Sequence, residues 1–142
     1  MEVMENPFNI ELTENQTIIK NTIREFAEKT IRPVVMQYDE SQEFPMEIVR
    51  QLGELGFLGM LVPEEYGGAG LGYVEFATVI EELARIDPSV SLSVAAHNGL
   101  GTNHILRFGN EEQKKKYLPD LASGKKIAAW GLSLIHISEP TR

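Results

Sequence analysis

From Tyr73 to Ala84, apolar side chains return at every third or fourth position: Tyr73, Phe76, Ala77, Ile80, Leu83 and Ala84 follow this spacing without a miss. That is the period of an α-helix carrying one apolar stripe. A strand cannot reproduce it, because strand side chains change sides at every residue. Val74, Val79 and Ile86 add a second strip, which predicts a helix buried on two sides. The same spacing appears earlier at Ile19, Ile23, Phe26, Ala27 and Ile31, behind a capping box formed by Thr13 and Gln16. Pro33 has no N–H to donate and must break or kink that helix, which can resume from Val34 to Tyr38. A further helix is predicted from Pro45, with Ile48, Val49, Leu52 and Leu55 on its apolar face and Gly56 just past its end.

Between these helices the pattern changes. Residues 57–63 are too short and too apolar for a surface helix and read as buried extended chain. The loop from Glu64 to Gly72 has four glycines in its last six residues. A phosphate cradle of the nucleotide-binding kind needs Lys and Ser or Thr after its last glycine, and here Tyr73-Val74 follows. A turn-making role fits better. Asp87-Pro88-Ser89 stops one helix and can cap the next. From Val90 to Leu106 the residues are small or apolar nearly all round, as in the middle of a bundle. Gly109-Asn110 ends that stretch, and Asn110 to Leu118 reads as a short polar helix closed by Pro119. Past Gly124, Ile127-Ala128-Ala129-Trp130 could enter a strand. The expected fold is therefore an all-α helical bundle with at most one strand, at its C-terminal end. A lone strand has nothing to pair with, so the chain reads as unfinished.

Chemistry is sparse in this pattern. His97 and His104 lie seven apart on one predicted helix face, but no carboxylate stands between them at ligand spacing, and no metal site is expected. Glu81 and Glu82 point about 100° apart and do not share a site, while Glu81 and Arg85 are spaced for a surface ion pair. Trp130, the only tryptophan, could face a flat partner or sit in a core. The absence of cysteine removes disulfides, thiolate metal sites and cysteine nucleophiles. A net charge of −8 argues against nucleic acid, and Lys114-Lys115-Lys116 behind two glutamates reads as a solvated helix face. No apolar run approaches the ~20 residues of a membrane span. The acidic start, Met1 to Pro7, lacks the basic beginning and apolar centre of a signal peptide, so the cytoplasm is the expected location.

Several segments together resemble the N-terminal domain of acyl-CoA dehydrogenases. They are Phe44-Pro45 through Gly53-Glu54-Leu55-Gly56; Val62-Pro63-Glu64-Glu65-Tyr66-Gly67-Gly68-Ala69-Gly70; Glu81-Glu82-Leu83-Ala84-Arg85; Leu106 through Gly109-Asn110-Glu111-Glu112-Gln113 to Pro119; and Ala128-Ala129-Trp130-Gly131-Leu132. Order and spacing agree from Thr13 to Leu132. The resemblance implies a helical domain packed against a middle β-domain and a C-terminal helical domain, with FAD between them. It implies oxidation of an acyl-CoA to the trans-2-enoyl-CoA: a glutamate of the C-terminal domain removes the α-proton as the β-hydrogen leaves as hydride to flavin N5. No catalytic residue is then expected in this chain, which alone should be inactive. An electron-transfer acceptor and a homotetramer are implied as partners. The helix from Ser91 to Leu106 would line the acyl-chain pocket through Leu92, Ser93, Ala96 and Leu100, although plain helix packing serves each of these equally well.

Trp130, Gly131, Leu132 and Ser133 fit the first four positions of that family's flavin-contacting segment, which makes Trp130, Leu132 and Ser133 the implied cofactor contacts. The match then stops. Leu134 stands where the family has glutamate, and Ser138-Glu139-Pro140 comes five residues late. Residues 132–142 resemble the translation of a transposase-end adapter used in sequencing libraries. The expected division is a helical domain over 1–131 and a non-native tail over 132–142, in which Ser133 would carry no flavin role. Alternative readings are a fragment of a same-fold acyl-CoA oxidase or flavin monooxygenase, or a non-catalytic helical interaction module.

Overall fold

Helix α1 (Glu14–Phe26) starts where the capping box requires. The Thr13 hydroxyl accepts from the Gln16 N–H at 3.2 Å, and Gln16 Oε1 accepts from the Thr13 N–H at 2.9 Å. The computed structural model describes residues 11–131, so the expectations placed on Leu132, Ser133 and the rest of 132–142 lie outside the described residues. Ahead of Pro33, α1 widens into a π turn, Ala27–Ile31, with the Arg32 N–H bonding the Ala27 carbonyl five residues back. Helix α2 (Val35–Ser41) follows on a new course and ends at Gln42, whose φ of 58° is left-handed.

Helix α3 (Met46–Glu54) buries Ile48, Val49 and Leu52. Leu55, expected on the same stripe, is exposed instead, because it is the C-cap and the chain turns away at Gly56, where φ is +84°. Residues 57–63 are buried as expected but are not extended. They form a run of tight turns in which the Gly59 N–H bonds the Gly56 carbonyl and the Val62 N–H bonds the Gly59 carbonyl. The glycine-rich loop folds back over these turns. Amides of Ala69, Gly70 and Leu71 bond the carbonyls of Gly59, Val62 and Met60 at 2.7–2.9 Å. Gly68 lies so close to Val62 that a Cβ there would overlap the Val62 carbonyl, which is the packing reason for a glycine at that point.

Helix α4 (Tyr73–Ala84) lies between α1 and helix α5 (Pro88–Ala95). Its buried face is Thr78, Val79, Glu82 and Leu83. The expectation of burial on two sides is corrected in part: Val79 is buried and Phe76, Ile80 and Ile86 pack against the main core, but Tyr73, Val74, Ala77 and Ala84 are exposed, because no element covers them. Ile23, Ala27 and Ile31 from the first helical stretch meet Ile48, Val49 and Leu52 of α3, Val79 and Leu83 of α4, and Val90 and Val94 of α5 in the main core. Glu82 is buried among them, 2% exposed. Its carboxylate accepts from Arg24 Nε at 2.9 Å, Arg24 Nη2 at 2.7 Å and Arg85 Nη1 at 2.8 Å. The expected Glu81–Arg85 surface pair is therefore corrected, since Arg85 turns three residues back to a buried carboxylate that also binds α1. The Arg24 hydrogen bonds hold the Glu82 carboxyl down at about 2, against the cost of its burial.

Beyond a π segment, Ala96–Thr102, come α6 (Asn103–Phe108) and α7 (Glu111–Ala122). Helix α7 runs through Pro119 instead of stopping there. Leu118, Leu121 and Ala122 are buried and hold its last turn, where the Ser123 hydroxyl bonds the Pro119 carbonyl at 2.9 Å. A second core joins Leu118 and Ala122 to Val62 and Tyr66. The Tyr66 hydroxyl donates to Glu111 at 2.8 Å. Residues 127–131 form no strand, and none occurs among the described residues. The fold is an all-α bundle.

Candidate functional site

Asp87 opens helix α5. Its carboxylate accepts from the amides of Ser89 and Val90 at 2.8 and 3.2 Å, with Pro88 in the first helical position. The Ser91 hydroxyl bonds the Ile80 carbonyl at 2.8 Å and fixes α5 against α4. With Val90, Ser91 and Val94 turned inward, the opposite side is left open. Leu92 is 69% exposed and Leu100 42%, while Ser93 and Ala96 are half-buried. The expectation of a helix enclosed all round is corrected, because one side of it has no neighbour. Of the four residues expected to meet an acyl chain, Leu92 and Ser93 belong to α5, and Ala96 and Leu100 to the π segment that follows it.

Each hydrogen-bonded loop of the π segment spans one residue more than in an α-helix, and this wider turn separates the two histidines. His104 is exposed and His97 is buried, so they do not share a face. His97 Nε2 lies 3.0 Å from the Leu58 carbonyl and 3.1 Å from the Leu121 carbonyl, and must therefore donate. Nδ1 accepts from the Ala128 N–H at 3.0 Å. These partners assign a neutral ring with its proton on Nε2, and burial pushes its pKa below 6.5 despite the pull of the two carbonyls. Gly101 lies under the same segment, where a Cβ would overlap the Ala128 Cβ. Next to it, Asn98 Nδ2 donates to the carbonyls of Phe57 and Val94 at 3.0 and 3.1 Å.

Held in this way, residues 127–130 run beside the π segment and place Trp130 at the edge of a cleft of about 370 Å³ shared with Leu100, His104, Ile105 and Tyr117. The indole is 48% exposed, and its ring centre is 4.6 Å from that of His104. Leu100 and Trp130 thus line one cleft, which Leu92, Ser93 and Ala96 do not line. Among the described residues, no group of three or more His, Cys, Asp or Glu could hold a metal ion, and no helix is long and apolar enough to cross a membrane.

Residues 13–125 match the family described as acyl-CoA dehydrogenase, N-terminal domain. The chain belongs to this family. It is 41% identical over 125 residues to an acyl-CoA dehydrogenase of Bacillus subtilis (strain 168), covering 88% of this chain and 33% of that one. The structure of an acyl-CoA dehydrogenase complexed with FAD from Bacillus anthracis matches with a TM-score of 0.77 at 41% identity, covering 83% of this chain and 20% of that one. A structure described as the electron transferring flavoprotein of Acidaminococcus fermentans matches with a TM-score of 0.81 at 38% identity, over 84% of this chain and 32% of that one. This acyl-CoA dehydrogenase N-terminal domain therefore spans about a third of the length of its curated relative.

Two features escaped the sequence reading. The burial of Glu82 could have been read from its place beside Val79 and Leu83, with Lys20 and Arg24 one turn apart on another helix. The His97–Ala128 bond had no signal in the spacing, because helical periodicity does not reveal a π segment.

Proposed function

We propose that residues 1–131 are the N-terminal helical domain of an FAD-dependent acyl-CoA dehydrogenase that oxidises an acyl-CoA to the trans-2-enoyl-CoA and passes its electrons to a protein acceptor. The observation that carries this reading is the uncovered side of α5 and the π segment after it, where Leu92 and Leu100 stand exposed and Leu100 shares a cleft with the half-exposed Trp130. Large apolar side chains left open on adjoining elements mark a surface that something else covers. A fatty-acyl chain along Leu92, Ser93, Ala96 and Leu100 would meet small or apolar groups throughout. A flat aromatic ring suits the open part of Trp130; Leu132 and Ser133 would join it as cofactor contacts only in a parent whose own sequence carries them.

When bound, FAD supplies the hydride acceptor. This domain would give one wall of the acyl tunnel and the indole edge of the flavin site, and would exclude water from both. The base that removes the α-proton would come from a C-terminal domain, and assembly as a homotetramer belongs to the same reading.

The test is steady-state oxidation of acyl-CoA substrates by the protein expressed from the whole source gene, with an artificial electron acceptor. Enoyl-CoA formation that depends on acceptor and on FAD supports the reading. A purified, folded protein without turnover on short-, medium- or long-chain acyl-CoA would remove it.

A further inference from the structure

The segment that carries Trp130 has no regular structure of its own, yet its position is defined. Its backbone amide at Ala128 meets a buried acceptor, His97 Nδ1, at 3.0 Å. Its methyl group at Ala128 fills the space that Gly101 leaves by having no side chain. The near end is tied down separately, by the Lys126 N–H on the Asp120 carbonyl at 3.1 Å and by the Lys126–Asp120 ion pair at 2.8 Å. His97 Nε2 is held between the carbonyls of Leu58 and Leu121, with the Thr102 hydroxyl 3.4 Å away, which fixes the ring. The ring therefore ties Leu58 and the stretch from Leu121 to Ala128 to the π segment, with its one remaining lone pair aimed at Ala128.

We propose that His97 and Gly101 form a dedicated cradle for residues 127–130, and that His97 is a positioning residue that sets, through Ala128, where the Trp130 indole stands. Importance for the cofactor rests on the reading of Trp130 as the flavin-facing ring; the cradle itself does not. Two side-chain replacements separate the two ends of the imidazole. His97→Gln can place an amide donor near the Nε2 position but leaves Ala128 without an acceptor. His97→Asn can place an oxygen near the Nδ1 position but gives up the donor toward Leu58 and Leu121.

The test is amide hydrogen exchange by NMR on the 142-residue chain at neutral pH, together with Trp130 emission. Protection at Ala128 should fall about fivefold in His97→Gln, the value of one buried neutral hydrogen bond, and stay close to wild type in His97→Asn. Core amides such as Leu52 and Leu83 should be unchanged in His97→Gln. Gly101→Ala raises helix propensity, so a purely helical role predicts stabilisation. The cradle instead predicts loss of Ala128 protection and a red-shifted Trp130 emission. Ring-nitrogen shifts of His97 should report the proton on Nε2. Unchanged Ala128 protection in both His97→Gln and Gly101→Ala, or a proton on Nδ1, would overturn the proposal. The flavin-facing reading fails by a different result, unaltered FAD affinity in Trp130→Ala of the whole enzyme, which leaves the exchange experiment intact.

Discussion

Replacing Glu82 with Gln should cost this domain about 3 kcal/mol at neutral pH, and the size follows from the ion pair between α1 and α4. In the folded chain the carboxyl pKa is held at about 2, against 4.5 unperturbed. The Glu82 side chain is buried, but its Arg24 and Arg85 partners are nearly half exposed, so solvent screening trims the effect. A depression of that size corresponds to about 3 kcal/mol of stability. Because the folded-state pKa is the lower one, this stability is fully present above pH 4.5 and is lost as pH falls toward 2, with roughly half gone by pH 3. The introduced amide would keep one acceptor for Arg24 but turn an NH₂ toward cationic donors. Arg24 and Arg85, both partly in water, would be resolvated, which holds the cost to the lower end of the range for a broken buried pair. The assay is urea unfolding followed by far-UV circular dichroism from pH 7 to pH 3, comparing wild type, Glu82→Gln and the exposed control Glu81→Gln. The control should stay within about 0.5 kcal/mol of wild type. A Glu82→Gln deficit under 1 kcal/mol at pH 7, or one that does not shrink on acidification, would refute the reasoning.

Other consequences can be tested in the same chain or its parent. Gly68→Ala drives a methyl group into the Val62 carbonyl and should destabilise by about 1–3 kcal/mol, so an unaltered thermal midpoint would contradict the packing. The bond to Glu111 pushes the Tyr66 phenol up to about 12; its contribution to stability is present below pH 10 and lost as pH rises toward 12, and Tyr66→Phe should remove that alkaline dependence from unfolding curves. Burial lowers the His97 pKa, so the unfolded chain takes up the proton first and stability should decline as pH falls below 6.5; this slope should vanish in His97→Asn. In the whole enzyme, Ala96→Phe should shift preference toward shorter acyl chains, read as kcat/KM along a chain-length series, and an unchanged profile counts against the acyl-lining role.

Most of the helical architecture was legible because it rests on local rules. The capping box at Thr13, the break at Pro33, the positive φ at Gly56 and the Asp87 cap each depend on a few adjacent residues. Reading failed where distant partners decide. The Tyr73–Ala84 stripe looked enclosed, but periodicity reports which residues share a face and not whether another element covers it. Pro119 looked like a stop, yet burial of Leu118, Leu121 and Ala122 outweighs one missing backbone bond. Residues 57–63 are apolar enough for a strand, but the glycines around them allow successive turns, and their carbonyls are satisfied by the returning loop. Of the candidate site, the spacing of Leu92, Ser93, Ala96 and Leu100 could be read from the sequence, but not the change to a π segment at Ala96. What places Trp130 could not, because it depends on a π segment and on a histidine 31 residues before Ala128 in the chain.

Anaerobic titration of the whole enzyme with an acyl-CoA, followed in the visible absorbance of its flavin, tests most directly whether this domain is a wall of a flavin and acyl-chain cleft. The domain assignment predicts stoichiometric bound FAD that bleaches on addition of substrate, with Trp130→Ala weakening flavin retention and Ala96→Phe suppressing bleaching by long-chain substrates first. A folded whole protein that purifies without flavin, or whose flavin is unaffected by every acyl-CoA offered, would contradict it.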